Sequence, residues 1–328
     1  MKKRVWVGLA LAAVMAFSAG CSSSKVDYTI SVSQYGEHPS LDATLEGFKA
    51  ALKDAGLEDK KNIKIDYNSA QFEPSNSKTI AQKIANGKSD LALGIATNPA
   101  LDLANTVTDR PVLFAAVTDP IEAGVVKQLQ APGGNVTGAA DTNPDAIVQT
   151  MDFIAAEFPN VKTVGVIINE GEPNAVVMAK IAEEQLAKHG IKMTKKAIAK
   201  SAEVKQAADA LVGKVDAIYI TLDNEVVSGV SSIIEVANKN KIPFFSADRD
   251  SVEAGAFAAV GFKYYDHGYE VGQMAVEILK NGKKPGEMDV TVPQKLDFII
   301  NLKAAEAQGV EVTDKMKQYV KDQNNILQ

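Results

Sequence analysis

From residue 28 onward the chain alternates two hydrophobic rhythms. Short runs rich in β-branched and aliphatic residues have the length and bounds of buried strands. They are "YTISVSQ" (28–34), "NIKIDY" (62–67), "DLALGIA" (90–96), "RPVLFAAV" (110–117), "TVGVIIN" (163–169), "DAIYITL" (216–222), "IPFFSA" (242–247) and "AFAAVGF" (256–262). Between them the spacing predicts helices over 39–55, 74–86, 144–157, 173–189, 201–212, 225–240 and 267–281. In the first of these, Leu41, Leu45, Phe48 and Leu52 share one face and Gly56 closes the run. Strands alternating with helices imply an α/β chain whose parallel sheets are covered on both faces.

The pattern also repeats. "GKSDLALGIATN" (87–98) and "GKVDAIYITLDN" (213–224) share a helix-ending Gly-Lys, an Asp at the strand start and an Asn beyond its end. The strands that follow, in "RPVLFAAVTDP" (110–120) and "KIPFFSADRDS" (241–251), each begin beside a Pro and run into a polar, acidic loop. Earlier, "SQYGEHP" (33–39) has its counterpart in "INEGEPN" (168–174). Three matches in one order predict two related α/β lobes. Ligands of open parallel sheets bind beyond the carboxyl ends of the strands, where helix N-termini point. Every paired loop lies at such an end, so two facing lobes would enclose a polar cleft.

The polar residues of these loops suit binding better than catalysis. His38, His189 and His267 are far apart in sequence, and no nucleophile elbow, metal-binding His pair or Cys cluster is present. "NGKSD" (86–90) ends like a phosphate loop, but Gln82 stands where its first Gly is required, and "APGGNVTG" (131–138) reads as a turn. Thr97, Asn98 and Thr118 offer hydroxyl and backbone donors for a carboxylate. Asp248, Asp223 and Asp119, in that order, are candidates for an ammonium, although an Asp before a helix also serves as a cap. Tyr35, Phe245, Tyr264 and Tyr265 are candidates to stack on a ligand ring. Gln34 and His38 face the cleft from the knot before the first helix, which Pro39 starts. No cofactor and no metal are called for.

The first residues carry a separate signal. Lys2, Lys3 and Arg4 precede an apolar run, Val5 to Ala19, and "SAGC" ends it, as in an export leader over 1–20. Cys21 is the only cysteine of the 328 residues, so it forms no intramolecular disulfide and reads as a lipidation site, with 21–26 as a tether. Without the leader, 32 Lys and Arg face 41 Asp and Glu, a net charge of −9 that speaks against nucleic acid as a partner.

Five strings, "SQYGEHPSLDATLEGFKAAL", "IATNPAL", "VLFAAVTDPIEAGVVKQLQAPGGNVTG", "GKVDAIYITLDN" and "NLKAAEAQGV", resemble the ABC-transporter substrate-binding lipoproteins of the tryptophan/tyrosine-binding type. The resemblance implies the type I periplasmic-binding-protein fold, two Rossmann-like lobes with parallel sheets joined by three hinge crossings near 137–141, 260–264 and 288–294. One lobe would hold 27–137 plus 265–290, and the other 138–264 plus 291–328. Pocket positions would map to Gln34, His38, Thr97, Asn98, Thr118, Asp119, Asn169, Glu172, Asn174, Asp223, Asn224 and Asp248. It further implies a monomeric receptor outside the cytoplasm that hands a small ligand, often an aromatic amino acid, to a membrane permease driven by a cytoplasmic ATPase. A sugar, nucleobase or short peptide as ligand, and a sensor or surface adhesin on the same fold, stay open as alternatives.

Overall fold

A computed structural model describes residues 26–294 and 296–328. The leader and Cys21, with most of the tether, lie outside these residues. The first half of the chain runs β1 (Tyr28–Gln34), α1 (Pro39–Asp54), β2 (Ile63–Ser69), α2 (Pro74–Ala85), β3 (Leu91–Ile95), α3 (Thr97–Thr106), β4 (Val112–Val117) and β5 (Val136–Ala140). It continues through α4 (Pro144–Glu157), β6 (Thr163–Ile168), α5 (Pro173–Lys188), β7 (Lys192–Ala197), α6 (Val204–Asp209), β8 (Ala217–Ile220), α7 (Asn224–Ser228) and α8 (Val230–Asn240). The last part is β9 (Phe244–Ser246), α9 (Arg249–Ala254), β10 (Ala258–Gly261), α10 (Tyr264–Asn281), β11 (Asp297–Asn301), α11 (Leu302–Ala307), α12 (Asp314–Lys317) and β12 (Ile326–Leu327).

Two sheets result, ordered β2-β1-β3-β4-β5 and β12-β11-β10-β9-β8-β6-β7. All pairings are parallel except that of β10 with β11. The two-residue period sorts each strand onto both faces. Leu91, Leu93 and Ile95 of β3 join Phe48 and Leu52 of α1 and Val271 of α10, while Ala92 meets Leu103 of α3. In the second sheet Val164 and Val166 pack under α4 and α5, and Ile167 under α6 to α8. Helix α10 returns from the second sheet to lie against α1 on the first.

The sequence repeat has a structural cause. Asp90 accepts the Thr29 N–H at 2.7 Å, which ties the start of β3 to that of β1. Asp216 accepts the Lys162 and Thr163 N–H groups at 2.8 and 2.9 Å, tying β8 to β6 in the same way. Each Asp satisfies an N–H at the end of a neighbouring strand that has no ladder partner.

Some elements differ from the sequence expectation. The helix expected over 225–240 is two helices that meet at Gly229, where a Cβ would press on Val204. The helix expected over 201–212 is a single turn of 3₁₀ helix followed by the short α6. "KMTKKA" is the edge strand β7, whose lysines suit an unpaired sheet edge. The Gly-rich stretch read as a turn leads directly into β5, which stays paired with β4 to Ala140, three residues past 137. The crossings at 137–141 and 288–294 run side by side, because Ala140 N–H donates to Thr291 O and Thr291 N–H to Gly138 O.

Candidate functional site

The carboxyl ends of the two sheets face each other across a narrow cavity. From the first sheet's side come His38, Ser40, Leu41, Ala116 and Thr118; from the second come Asn174, Leu222, Asn224, Val227 and Asp248; Asp141 and Tyr264 stand where the chain crosses. Two hydrogen bonds span the cleft. The His38 ring lies 3.2 Å from Asn224 Oδ1 through Nε2, and Ser40 Oγ donates to Asp248 Oδ1 at 3.3 Å.

Each wall residue is held from behind. Asn224 Nδ2 donates to Glu172 Oε2 at 2.5 Å, so Asn224 presents its oxygen to His38, and the His38 Nε2 carries the proton. Burial lowers the His38 pKa, which keeps the ring neutral. Its Nδ1 is therefore a bare acceptor, and it has no partner. The ring is stacked on Phe72 at 6.5 Å between centroids.

Glu172 is buried beneath Asn174 and Asn224 and accepts from Asn224 N–H, Glu225 N–H and the Asn174 amide at 3.0, 3.1 and 3.2 Å. Burial raises its pKa against those bonds. Asp223, deeper still, caps α7 through Val226 N–H and receives Asn169 N–H at 2.5 Å; burial and then the Glu172 charge hold its pKa well above the carboxylate range. Asp248 caps α9, accepting Ser251 N–H and Oγ at 2.7 Å each and Ser246 Oγ at 2.9 Å. Asp141 accepts from Tyr264 Oη at 2.9 Å and Thr142 Oγ1 at 3.1 Å, and burial pushes its pKa up to about 6. Among the described residues no Lys or Arg lines the cavity; Arg249 turns away to Glu253 and Asn325.

Of the residues singled out in the sequence, the structure brings His38, Thr118, Asn174, Asn224 and Asp248 to the cavity wall, with Glu172 immediately behind. The others serve local structure. Gln34 braces the knot, donating to Gly36 O and Asp42 Oδ1 at 2.8 Å each. Asp119 takes the N–H groups of Ile121 and Glu122, and Asn169 takes that of Gly171. Thr97 and Asn98 form the first turn of α3. Among the aromatic candidates only Tyr264 borders the cavity. Phe245 is core, Tyr35 packs edge-on against Phe72, and Tyr265 is exposed.

Asp141 and Ser40 escaped the sequence reading. Asp141 stands in "ADTNP", whose Thr-Asn-Pro repeats that of "IATNP" at 97–99, a signal that would have drawn attention to it. Tyr264 was read as a possible stacking ring, and its position instead serves to fix Asp141. Asp141 and Leu222 also line a second, narrow cavity, which runs under α4 and α5. Among the described residues, no group of three or more His, Cys, Asp or Glu side chains is placed to hold a metal, and no helix is long and apolar enough to cross a membrane.

His267 supports the first wall without touching the cavity. Its buried Nε2 accepts the Ala116 N–H at 3.0 Å, fixing a left-handed residue (φ 55°) beside the register shift in β4. Burial lowers its pKa to about 4, against 6.5 for an unperturbed imidazole. The neutral ring therefore contributes stability that is complete above pH 6.5 and is lost as pH falls toward 4, about 3 kcal/mol in all. Buried carboxyls titrate in the same range with the opposite sign, so a difference measurement is needed. The stability advantage of the parent over His267→Gln, from urea melts, should shrink steadily between pH 7 and pH 4. A constant difference would mean the imidazole is not buried neutral.

Comparison with known proteins bears on this geometry. The profile of a family described as ABC transporter substrate binding protein matches residues 29–323. A curated protein from Clostridioides difficile (strain R20291), described as a tyrosine-binding protein, is 39% identical over 307 residues, covering 93% of this chain and 88% of that one. An ABC domain from Streptococcus pneumonia, solved in complex with L-Trp, is 33% identical with a TM-score of 0.82, covering 91% of this chain and 99% of that one. The ligand-free, open structure of a substrate binding protein with adhesive properties from Clostridium difficile is 37% identical with a TM-score of 0.66, covering 92% and 98%.

Proposed function

The chain belongs to the family of ABC transporter substrate binding proteins, and from that premise we propose that it captures an aromatic amino acid between two lobes that close about a hinge. The lobes are residues 27–140, to the end of β5, with 265–290, and residues 141–264 with 291–328. The receptor sits outside the cytoplasm, held by lipid on Cys21, and delivers its ligand to a permease coupled to a cytoplasmic ATPase. Members of the family bind substrates and are not enzymes, which agrees with a cavity whose polar groups hold one another and activate no nucleophile.

The observation that carries the ligand class is the balance of charge in the cavity. The side chains of Asp141 and Asp248 are buried there, His38 Nδ1 adds a neutral acceptor, and among the described residues no cationic side chain lines the cavity. A ligand ammonium does so, and it stabilises the closed state by pairing charges that water no longer reaches. The ligand carboxylate is left to the hydroxyls of Ser40 and Thr118. The relatives' descriptions name tyrosine binding in one case and an L-Trp complex in the other, which supports an aromatic side chain.

Two observations support hinge closure. His38 and Ser40 bond across the cleft, as two closed lobes would. The L-Trp complex also matches it better than the open, ligand-free structure does, although the latter is closer in sequence.

A thermal-shift screen of the soluble portion from Ser22, run against the twenty amino acids and a set of sugars, tests the reading. Ligand at a hundred times its dissociation constant adds about 2.7 kcal/mol, a shift of several degrees. Tyrosine or tryptophan should raise the midpoint most. A response to a sugar with none to any amino acid rules out the proposed ligand class. The adhesive properties ascribed to the Clostridium difficile relative favour a second role at the cell surface. A deletion strain that loses tyrosine uptake but adheres normally would set that role aside.

A further inference from the structure

The second cavity has a chemistry of its own. Met178, Leu222, Val260 and Phe262 make its walls apolar, and Asp141 and Leu222 are shared with the first cavity. Tyr219 also lines it. That residue is 0% exposed, and its hydroxyl has no hydrogen-bond partner. Buried hydroxyls are nearly always paired, because leaving one unpaired forfeits its hydration without return. Its sheet neighbours, Val166 and Phe245, offer no acceptor.

We propose that the second cavity takes the aromatic ring of the ligand, and that the Tyr219 hydroxyl bonds a polar atom at the ring's far end, so that the site selects a phenol over a phenyl ring. The inference rests on the amino-acid reading above and adds a specificity residue to it. An amino acid whose ammonium meets Asp141 has its side chain directed past Leu222, because those two residues form the wall common to both cavities. The ring then lies among Met178, Val260 and Phe262, where a thioether and an aromatic face are favourable neighbours. Burial also raises the Tyr219 pKa, so the hydroxyl keeps its proton and can donate or accept. A site that leaves a buried polar group unpaired when the ligand hydroxyl is missing discriminates far more strongly than an apolar pocket does.

Isothermal titration of the parent and of Tyr219→Phe with L-tyrosine and L-phenylalanine tests this. The parent should prefer tyrosine by roughly tenfold or more. The variant should lose most of that preference, with its phenylalanine affinity changed by no more than about twofold. The unliganded variant should melt no lower than the parent, since it loses only an unpaired hydroxyl. If the variant keeps the parent's preference for tyrosine, Tyr219 has no part in specificity and the inference is overturned while the amino-acid reading stands. If the parent binds neither amino acid the inference is overturned, and if L-tryptophan also fails to bind, the aromatic amino-acid reading falls with it.

Discussion

Asp141→Asn is expected to weaken binding of an aromatic amino acid by roughly a hundredfold, about 3 kcal/mol, while leaving the unliganded protein at least as stable as the parent. Asp141 sits at the end of β5, in the first crossing, buried and bonded only to hydroxyls. Burial lifts its pKa from 3.8 to about 6. A raised carboxyl pKa means that the folded state binds its proton first. Stability therefore rises as pH falls through 6, and above pH 6 the ionised group costs about 3 kcal/mol. An Asn of the same shape removes that cost and still accepts from Tyr264. A bound ammonium acts in the reverse sense, since it favours the ionised form. Affinity of the parent should thus fall as pH drops below 6, whereas that of the variant should stay flat. Calorimetry at pH 7.5 and pH 5, beside urea melts without ligand, reads both effects. Parent-like affinity with a parent-like pH profile in the variant would remove Asp141 from the ammonium site.

Much of this arrangement is legible in the chain, and the parts that are not share a cause. The alternation of β-branched runs with helical spacing predicts both parallel sheets, because Leu91, Leu93 and Ile95 must bury one face while Ala92 buries the other. The doubled Gly-Lys-x-Asp motif is legible because each Asp ties the same pair of strand starts. Loop residues are harder. A polar side chain in a loop satisfies a backbone N–H as readily as a ligand, and sequence does not separate Asp119, which braces a turn, from Thr118, which lines the cavity. Asp248 does both. Tyr219 is hidden for another reason: in a strand its spacing reads as core, and only the absence of a partner for its hydroxyl sets it apart. The antiparallel β11 and the edge strand β7 depend on what lies beside them in the sheet, a long-range property that local spacing does not carry.

Gly268→Val should destabilise the protein by at least about 4 kcal/mol, lowering the melting temperature by on the order of 10 °C. In an exposed helix, replacing Gly gains stability, because any other residue except Pro has the better helix propensity. Here the sign reverses. Gly268 of α10 faces the backbone of α1, and a Cβ would overlap the Thr44 carbonyl; one on Gly47 of α1 would overlap that of Tyr265. One turn on, a Cβ at Gly272 would stand 2.6 Å from Phe48 O. These obstacles are main-chain atoms, which cannot rotate away as a side chain does. The helices must part, and Phe48, Leu52 and Val271, which meet between them and the sheet, lose contact with one another. The same displacement would shift His267 from Ala116 and Tyr264 from Asp141, so ligand affinity should fall along with stability. Melts of the unliganded variant and titration with L-tyrosine measure the two losses separately. A variant within 1 kcal/mol of the parent, a small change by the usual range for point substitutions, would show that the helix pair can separate without disturbing the wall it supports.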